Sequence, residues 1–264
     1  DVMEQLALNE EKNLVHKIID RKELSLEVIP MRYNTDTGEY NIQYRDPMKK
    51  NEFINHTFEN GTMRHNIIEH VLHELLPNRF DNFDINKDAG LIFTIYADPK
   101  PAYEMAQDKL AKNKNGLNVV PGTKEYQKIL VEKTDDIFKS DACREGEGAR
   151  WLSEYLNKVG FDSYPWFATP GYRKNRSPEE KKKLDKEWEK IKSERQRKYV
   201  SNEINLLVTT KGFGMGIDKP NIRYIIHFGF PGSLEEYFQQ IGRAGRDKSH
   251  SHCILLWDPP TEEC

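Results

Sequence analysis

Two short runs near the C-terminal end of this 264-residue sequence combine residue types able to act on phosphates. The first is Gln239-Gln240-Ile241-Gly242-Arg243-Ala244-Gly245-Arg246-Asp247. Read as one helix, Gln239 and Arg243 are four residues apart and Arg243 and Arg246 three, so the three polar heads share a face. Two guanidinium forks on one face suit bidentate contact with phosphate oxygens. Gly242 and Gly245 each cost about 1 kcal/mol relative to alanine in a helix interior. That cost is tolerable where something approaches the helix closely, or where the helix ends. A helix C-terminus capped by glycine, with arginines opposing the dipole, accounts for the same residues.

The second run is Thr209-Thr210-Lys211-Gly212-Phe213-Gly214-Met215-Gly216-Ile217-Asp218-Lys219-Pro220. It follows the apolar segment NLLVTT (Asn205 to Thr210), which has the length and character of a buried strand. Ligands of open α/β sheets bind beyond the carboxyl ends of strands. Three glycines in five positions let a backbone come close to such a ligand. Glycine-rich turns after strands are common, so this run alone assigns nothing.

In this order, FGMGIDKPNIRYIIHF and YFQQIGRAGRD resemble motifs V and VI of superfamily 2 helicases, in the wording of the RecQ family, over about forty residues. The resemblance extends more weakly to Asp20-Arg21 with Leu24 and the strand after them, to Gly90–Tyr96 as a motif IV strand, and to Cys253–Pro259 as the closing strand. It implies a RecA-like three-layer α/β fold, a mostly parallel sheet with helices on both faces. It implies the second motor lobe of an ATP-dependent 3′–5′ DNA helicase, a family of DNA repair and recombination. ATP then sits between two lobes, with phosphates and Mg²⁺ held mainly by the first. Arg246 matches the arginine finger, Arg243 its phosphate-side partner, and Gln239 the glutamine linking nucleotide state to lobe closure. Asp218 matches an acidic residue that touches the ribose or the neighbouring arginine, with Gly216 beside it in the ATP site. Thr210, with Thr209 and Lys211, matches the contact to the nucleic-acid backbone. The implied partners are single-stranded or partly duplex DNA and a first RecA-like lobe of the same chain.

Some family features are missing from the sequence. It has no Gly-x-x-x-x-Gly-Lys-Ser/Thr phosphate loop and no Asp-Glu-x-His box, so the chain is expected not to hydrolyse ATP alone. Without an initiator methionine, it reads as a piece of a longer protein. The zinc-binding cysteine set of many RecQ proteins is missing, although Cys264 sits near where one would begin, and no metal ligands are assigned. Ala97-Asp98 stands where a Ser-Arg pair is expected, and Phe167 near a usual histidine, which puts one family DNA contact in doubt.

The elements that must position these groups follow from periodicity. A short helix is expected over Asp1–Asn9 and a period-two strand over Leu24–Met31. A hairpin arm is expected at Glu39–Tyr44 after the turn signal Asp36-Thr37-Gly38, with a second turn signal at Asn60-Gly61. Ile67, Ile68, Val71, Leu72 and Leu75 mark an amphipathic helix over Arg64–Leu76 ended by Pro77. Strands follow at Leu91–Ala97, Phe161–Phe167, Asn205–Thr210, Ile222–Phe228 and Cys253–Trp257. Helices are expected at Pro99–Leu110, Gly148–Val159 and Ser233–Arg246. Another runs from the capping signal Ser177-Pro178-Glu179-Glu180 to about Val200. Alternating strands and helices mean a parallel, doubly wound sheet. The organisation is a connecting segment over 1–22 and a RecA-like helicase C-terminal domain over 23–264. Insertions near 33–62 and 110–145 are possible docking surfaces for a protein partner.

Hydrophobic residues make up 37% and charged residues 31%, which predicts a modest core carrying polar insertions. No apolar run is long enough to span a membrane, and Asp1–Glu10 lacks the pattern of a secretory signal. Three cysteines without a Cys-x-x-Cys pair argue against a disulfide framework or a zinc site. An intracellular setting is expected, cytoplasmic in a prokaryote and nuclear in a eukaryote. The net charge is −3, yet Tyr172–Tyr199 carries 12 basic against 6 acidic residues. A phosphate backbone and plain solvation both suit that stretch. Trp151 and Trp257 read as core and His227 as structural. Two other functions compete with the helicase: a DNA-stimulated translocase that does not unwind, and a degenerate lobe that only binds DNA or a partner.

Overall fold

The computed structural model describes residues 21–34, 36–49, 52–59, 64–95, 97, 148–168, 177–213 and 217–258. Eight strands form one sheet: β1 (Leu24–Asn34), β2 (Glu39–Arg45), β3 (Phe53–Phe58), β4 (Ala89–Thr94), β5 (Ser163–Trp166), β6 (Leu206–Thr209), β7 (Ile222–Phe228) and β8 (Ser251–Trp257). Their order is β3-β2-β1-β8-β7-β4-β6-β5. Every pairing from β1 to β5 is parallel, and the β2–β3 hairpin adds two antiparallel strands at one edge. This is the expected α/β arrangement built on a mostly parallel sheet. The helices are α1 (Arg64–His70), α2 (Ala149–Lys158), α3 (Pro178–Val200) and α4 (Leu234–Ile241).

Buried parallel strands have no solvent face, so alternate residues feed two cores. In β4, Ile92 points to one core, and Ala89, Leu91 and Phe93 to the other. In β8, Ile254 and Leu256 face the first core, and Cys253 and Leu255 the second. The same holds for β1, whose alternation divides two interiors rather than core from solvent: Ile29 and Met31 go one way, Leu24, Leu26 and Val28 the other. Close packing between strands makes Gly90 obligatory, because a Cβ there would lie inside the Tyr224 ring.

The expected insertion over 33–62 is in its described part a continuation of the sheet. Ile42, Tyr44 and Phe58 join the first core, so the hairpin is part of the packed domain. The helices expected at Asp1–Asn9 and Pro99–Leu110, the 110–145 insertion, the turn at Asn60-Gly61, Asp98 and Cys264 lie outside the described residues.

Helix α1 departs from its expected end. Its apolar residues Ile67, Ile68, Val71, Leu72 and Leu75 are all buried as the periodicity requires. Pro77 does not stop the chain, however. A π turn over Val71–Leu75 and a 3-10 turn over Leu76–Arg79 carry it further. Pro77 occupies the first turn of the 3-10 segment, where its missing N–H has no partner to lose. The extension delivers Arg79 to Glu27, a fully buried carboxylate on β1. Arg79 donates to both Glu27 oxygens, at 2.7 and 3.1 Å, and to the Arg45 carbonyl at 2.7 Å. His252 Nε2 lies 3.0 Å from Glu27 Oε2. Burial pushes the Glu27 carboxyl up. The His252 hydrogen bond and the His252 and Arg79 charges outweigh that and hold it below the usual carboxylate range.

Helix α3 starts as the sequence signals. Ser177 Oγ accepts from Glu180 N, the Glu180 carboxylate accepts from Ser177 N, and Pro178 takes the first position. Only Trp188 and Tyr199 of its residues are buried, so its basic stretch is mostly solvated. Among the described residues, no helix is long and apolar enough to cross a membrane.

Candidate functional site

The glycine-rich run after β6 does not stay at one end of the sheet. Thr209 is buried, and Phe213 N bonds to the Thr210 carbonyl at 3.1 Å, turning the chain at the carboxyl end of the strands. Lys211 is exposed there. Phe213 then enters the second core against Trp166 and Tyr199, with ring centroids 5.0 and 5.9 Å apart. Gly214, Met215 and Gly216 lie outside the described residues. When the chain is next described, at Ile217–Pro220, it has returned to the amino ends of the strands, just before β7.

Lys219 anchors this return. It is 1% exposed and donates to the Tyr199 carbonyl at 2.6 Å and Asn202 Oδ1 at 2.5 Å, with its ammonium 4.6 Å from the Tyr199 ring centre. Burial pulls its pKa down to about 8, which leaves it mostly charged at neutral pH. The expectation that the whole run gathers at the carboxyl ends is therefore corrected. Thr209, Thr210 and Lys211 stay there, while Asp218 stands at the far end, roughly 20 Å away along the seven residues of β7.

At that far end Asp218 meets Arg246. An Arg246 guanidinium nitrogen lies 3.6 Å from Asp218 Oδ1 and donates to the Ile217 carbonyl at 3.2 Å. The expected helix over Ser233–Arg246 ends at Ile241. Beyond it the bonding tightens, with Arg243 N donating to Gln240 O at 3.2 Å and Ala244 N to Ile241 O at 3.1 Å. Gly242 caps the helix, and Gly245, in the turns beyond it, has φ +58° with a Cβ that would lie 3.0 Å from the Ser249 carbonyl, so that position requires glycine. Arg243 and Arg246 thus sit on turns, not on a helical face with Gln239. Gln239 instead donates to Glu235 at 3.2 Å. The two arginines remain close: burial lowers the Arg243 pKa, and the Arg246 charge lowers it further.

Sequence reasoning did not assign a role to Arg21, which holds this turn. Its guanidinium donates to the carbonyls of Gly242, Ala244 and Gly245 at 3.1, 2.7 and 2.8 Å, and pairs with Glu23. These carbonyls at a helix end have no intrahelical donor, and a fixed cation supplies one. A second brace is the Arg223–Asp247 ion pair, with Asp247 N bonded to the Pro220 carbonyl. The only local hint for Arg21 was its place before β1, 221 residues from its partner Gly242.

His227, read as structural, is fully buried on β7 and bonded to Gln240, with Nε2 2.7 Å from Oε1. Burial lowers its pKa to about 4, so the ring is neutral. Trp151 and Trp257 are partly buried, and Trp257 packs against the second core.

Residues 180–248 match the helicase conserved C-terminal domain family. The ATP-dependent DNA helicase RecQ of Bacillus subtilis is 45% identical over 69 residues, covering 26% of this chain and 12% of the relative. The mouse ATP-dependent DNA helicase Q1 is 42% identical over 115 residues, covering 44% of this chain and 15% of the relative. A structure of the Mycobacterium smegmatis helicase Lhr bound to single-stranded DNA and AMP-PNP has 12% identity and a TM-score of 0.38, covering 89% of this chain and 19% of that one. The chain thus spans about an eighth of the length of the first of these relatives and 15% of the second. The similarity to RecQ-type helicases is thus confined to part of this chain, and residues 180–248 are what resembles the helicase C-terminal domain.

Proposed function

We propose that the chain is the second motor lobe of an ATP-dependent 3′–5′ DNA helicase, with a nucleotide site at one end of its parallel sheet and a DNA track at the other. The observation that carries this reading is the Asp218–Arg246 contact beside Arg243, a sheet length away from Thr210 and Lys211. Arg246 would reach the transferring γ-phosphoryl group as it gains charge, with Arg243 on the neighbouring phosphate oxygens. Asp218 would aim Arg246 in the open state and be free to meet the ribose when the lobes close. Gly216, assigned to the ATP site by resemblance, lies outside the described residues, and Gln239 would sense closure. Mg²⁺, held mainly by the first lobe of the same protein, would neutralise the β- and γ-oxygens of ATP. Thr209, Thr210 and Lys211 would contact the phosphates of single-stranded or partly duplex DNA without reading sequence. The run from Phe213 to Lys219, pinned at Tyr199 and Asn202, links the two ends. Nucleotide-driven movement of Asp218 would thereby be felt at Thr210.

Duplexes carrying a single-stranded tail on either strand test the direction of the motor. The full-length protein is expected to release the strand from the 3′-tailed duplex when ATP is present, and to leave the 5′-tailed duplex intact. Release from the 5′-tailed duplex alone contradicts the polarity. Hydrolysis without release from either supports the translocase reading instead.

A further inference from the structure

The run that carries Arg243 and Arg246 has little order of its own. Helix α4 ends at Ile241, and a glycine stands immediately before each arginine, at Gly242 and Gly245. Glycine leaves a chain more conformational freedom than any other residue. The Arg246 side chain is also held loosely. It is 38% exposed, with Asp218 at 3.6 Å and the Gly242 carbonyl at 3.5 Å. A group that stabilises charge as it develops must be kept within about 0.5 Å of its working place. The backbone of the run therefore needs a support from outside it.

Arg21, just before β1, is placed to give that support. Its Nη1 donates to the Gly242 carbonyl at 3.1 Å, and its Nη2 to the Ala244 and Gly245 carbonyls at 2.7 and 2.8 Å. A peptide unit is planar, so fixing its carbonyl fixes the plane. The planes leading into Arg243 and into Arg246 are thus both held by one guanidinium. The Gly242 carbonyl is shared, because Arg246 Nε also donates to it. The clamp is itself tied to the sheet. Arg21 Nε donates to Glu23 Oε1 at 2.5 Å, and the Glu23 carbonyl accepts from Ser251 N of β8 at 2.9 Å. The Glu23 stem lies against Gly245, where a Cβ would come within 3.2 Å of Glu23 Cγ.

We propose that Arg21 is a positioning residue of the nucleotide site, which clamps the peptide planes of Gly242–Gly245 to the sheet and thereby aims Arg246. The proposal rests on the arginine-finger reading above. The donors of Arg21 point at the backbone and at Glu23, so it acts through Arg246 and not on a phosphate. Lysine is a poor substitute, since one ammonium lacks the planar fork that spans the three carbonyls.

The test compares ATP hydrolysis by the full-length protein, its Arg21→Ala and Arg246→Ala variants and the double variant, at saturating single-stranded DNA and a temperature at which each is folded. Arg21→Ala is expected to lower kcat roughly ten- to hundredfold, the cost of a finger misplaced by about 1 Å, and to leave KM for ATP within about threefold. Arg21→Lys recovers little of that loss. In single-turnover hydrolysis, adding Arg21→Ala to Arg246→Ala costs less than about threefold, because no finger is left to aim. Turnover by Arg21→Ala within about threefold of wild type overturns the proposal, as does full recovery in Arg21→Lys. A loss as large in the Arg246→Ala background as in the wild type also overturns it, and leaves Arg21 a role in folding alone. If Arg246→Ala itself leaves turnover unchanged, the finger reading fails and the positioning role falls with it. Should Arg21→Ala not fold, Arg21→Lys, which keeps the charge, is put through the same comparisons with the same expectations.

Discussion

Arg246→Ala lowers the DNA-stimulated turnover of ATP by about three orders of magnitude or more, while DNA binding stays near the wild-type level. The magnitude is that of removing an arginine finger. The expectation that folding survives comes from the contacts. Arg246 is 38% exposed, and its described partners are the Ile217 and Gly242 carbonyls at 3.2 and 3.5 Å and the exposed Asp218 at 3.6 Å. None is a buried charge left stranded. The loss falls on kcat more than on KM, because a finger acts on charge that develops only in the transition state. Arg246→Lys restores little, since an ammonium lacks the planar two-pronged donor. Turnover within tenfold of wild type in the alanine variant contradicts this role for Arg246.

Glu27→Gln has the largest expected effect on stability, about 3–5 kcal/mol, the usual cost of breaking a buried ion pair by removing one partner. Glu27 is 0% exposed and Arg79 only 10%, so the guanidinium is left in the core facing a neutral amide. His252, 4% exposed, loses its acceptor charge as well. Denaturant unfolding of the variant reads the difference as a shifted midpoint at unchanged slope. A midpoint within about 0.5 kcal/mol of the wild type would mean that the cluster adds nothing. Acid acts on the same group. The folded carboxyl sits below its ordinary value of 4.5, so on acidification the unfolded chain takes up the proton first. Its contribution is complete above that value and is lost as the pH falls through the lower, folded one. The wild type should therefore lose stability on acidification below about pH 4.5 more steeply than Glu27→Gln does.

The sheet was legible in the sequence wherever one local signal decided it. The largely apolar run Leu91–Ala97 has the length of a strand, and the buried parallel strand formed over Ala89–Thr94. Ser177-Pro178-Glu179-Glu180 announced the start of α3, because a capping box is a contract among neighbours. What remained hidden depended on partners far along the chain. The end of α4 at Ile241 comes at Gly242, and the turns after it, with positive φ at Gly245, are held by Arg21, which takes their carbonyls from 221 to 224 residues away. Both glycines were visible, but which of them ended the helix was not. The return of the glycine-rich run to the amino ends of the strands depends on Lys219 finding the Tyr199 carbonyl. Glu27 occupies a polar slot in a period-two pattern, which suggests solvent when the other face is unknown. Here that face holds Arg79 and His252. Asp218 and Arg246 could be singled out from the motifs in which they stand, but their meeting across β7 follows only from the fold.

The central claim is that one end of this lobe acts on ATP while the other follows DNA. The most direct measurement is the steady-state rate of ATP hydrolysis by the full-length protein, with and without single-stranded DNA. The account predicts slow hydrolysis alone and a rate raised at least tenfold by saturating DNA. A rate that DNA leaves unchanged, or no hydrolysis in either condition, would contradict it and leave the lobe as a binding module.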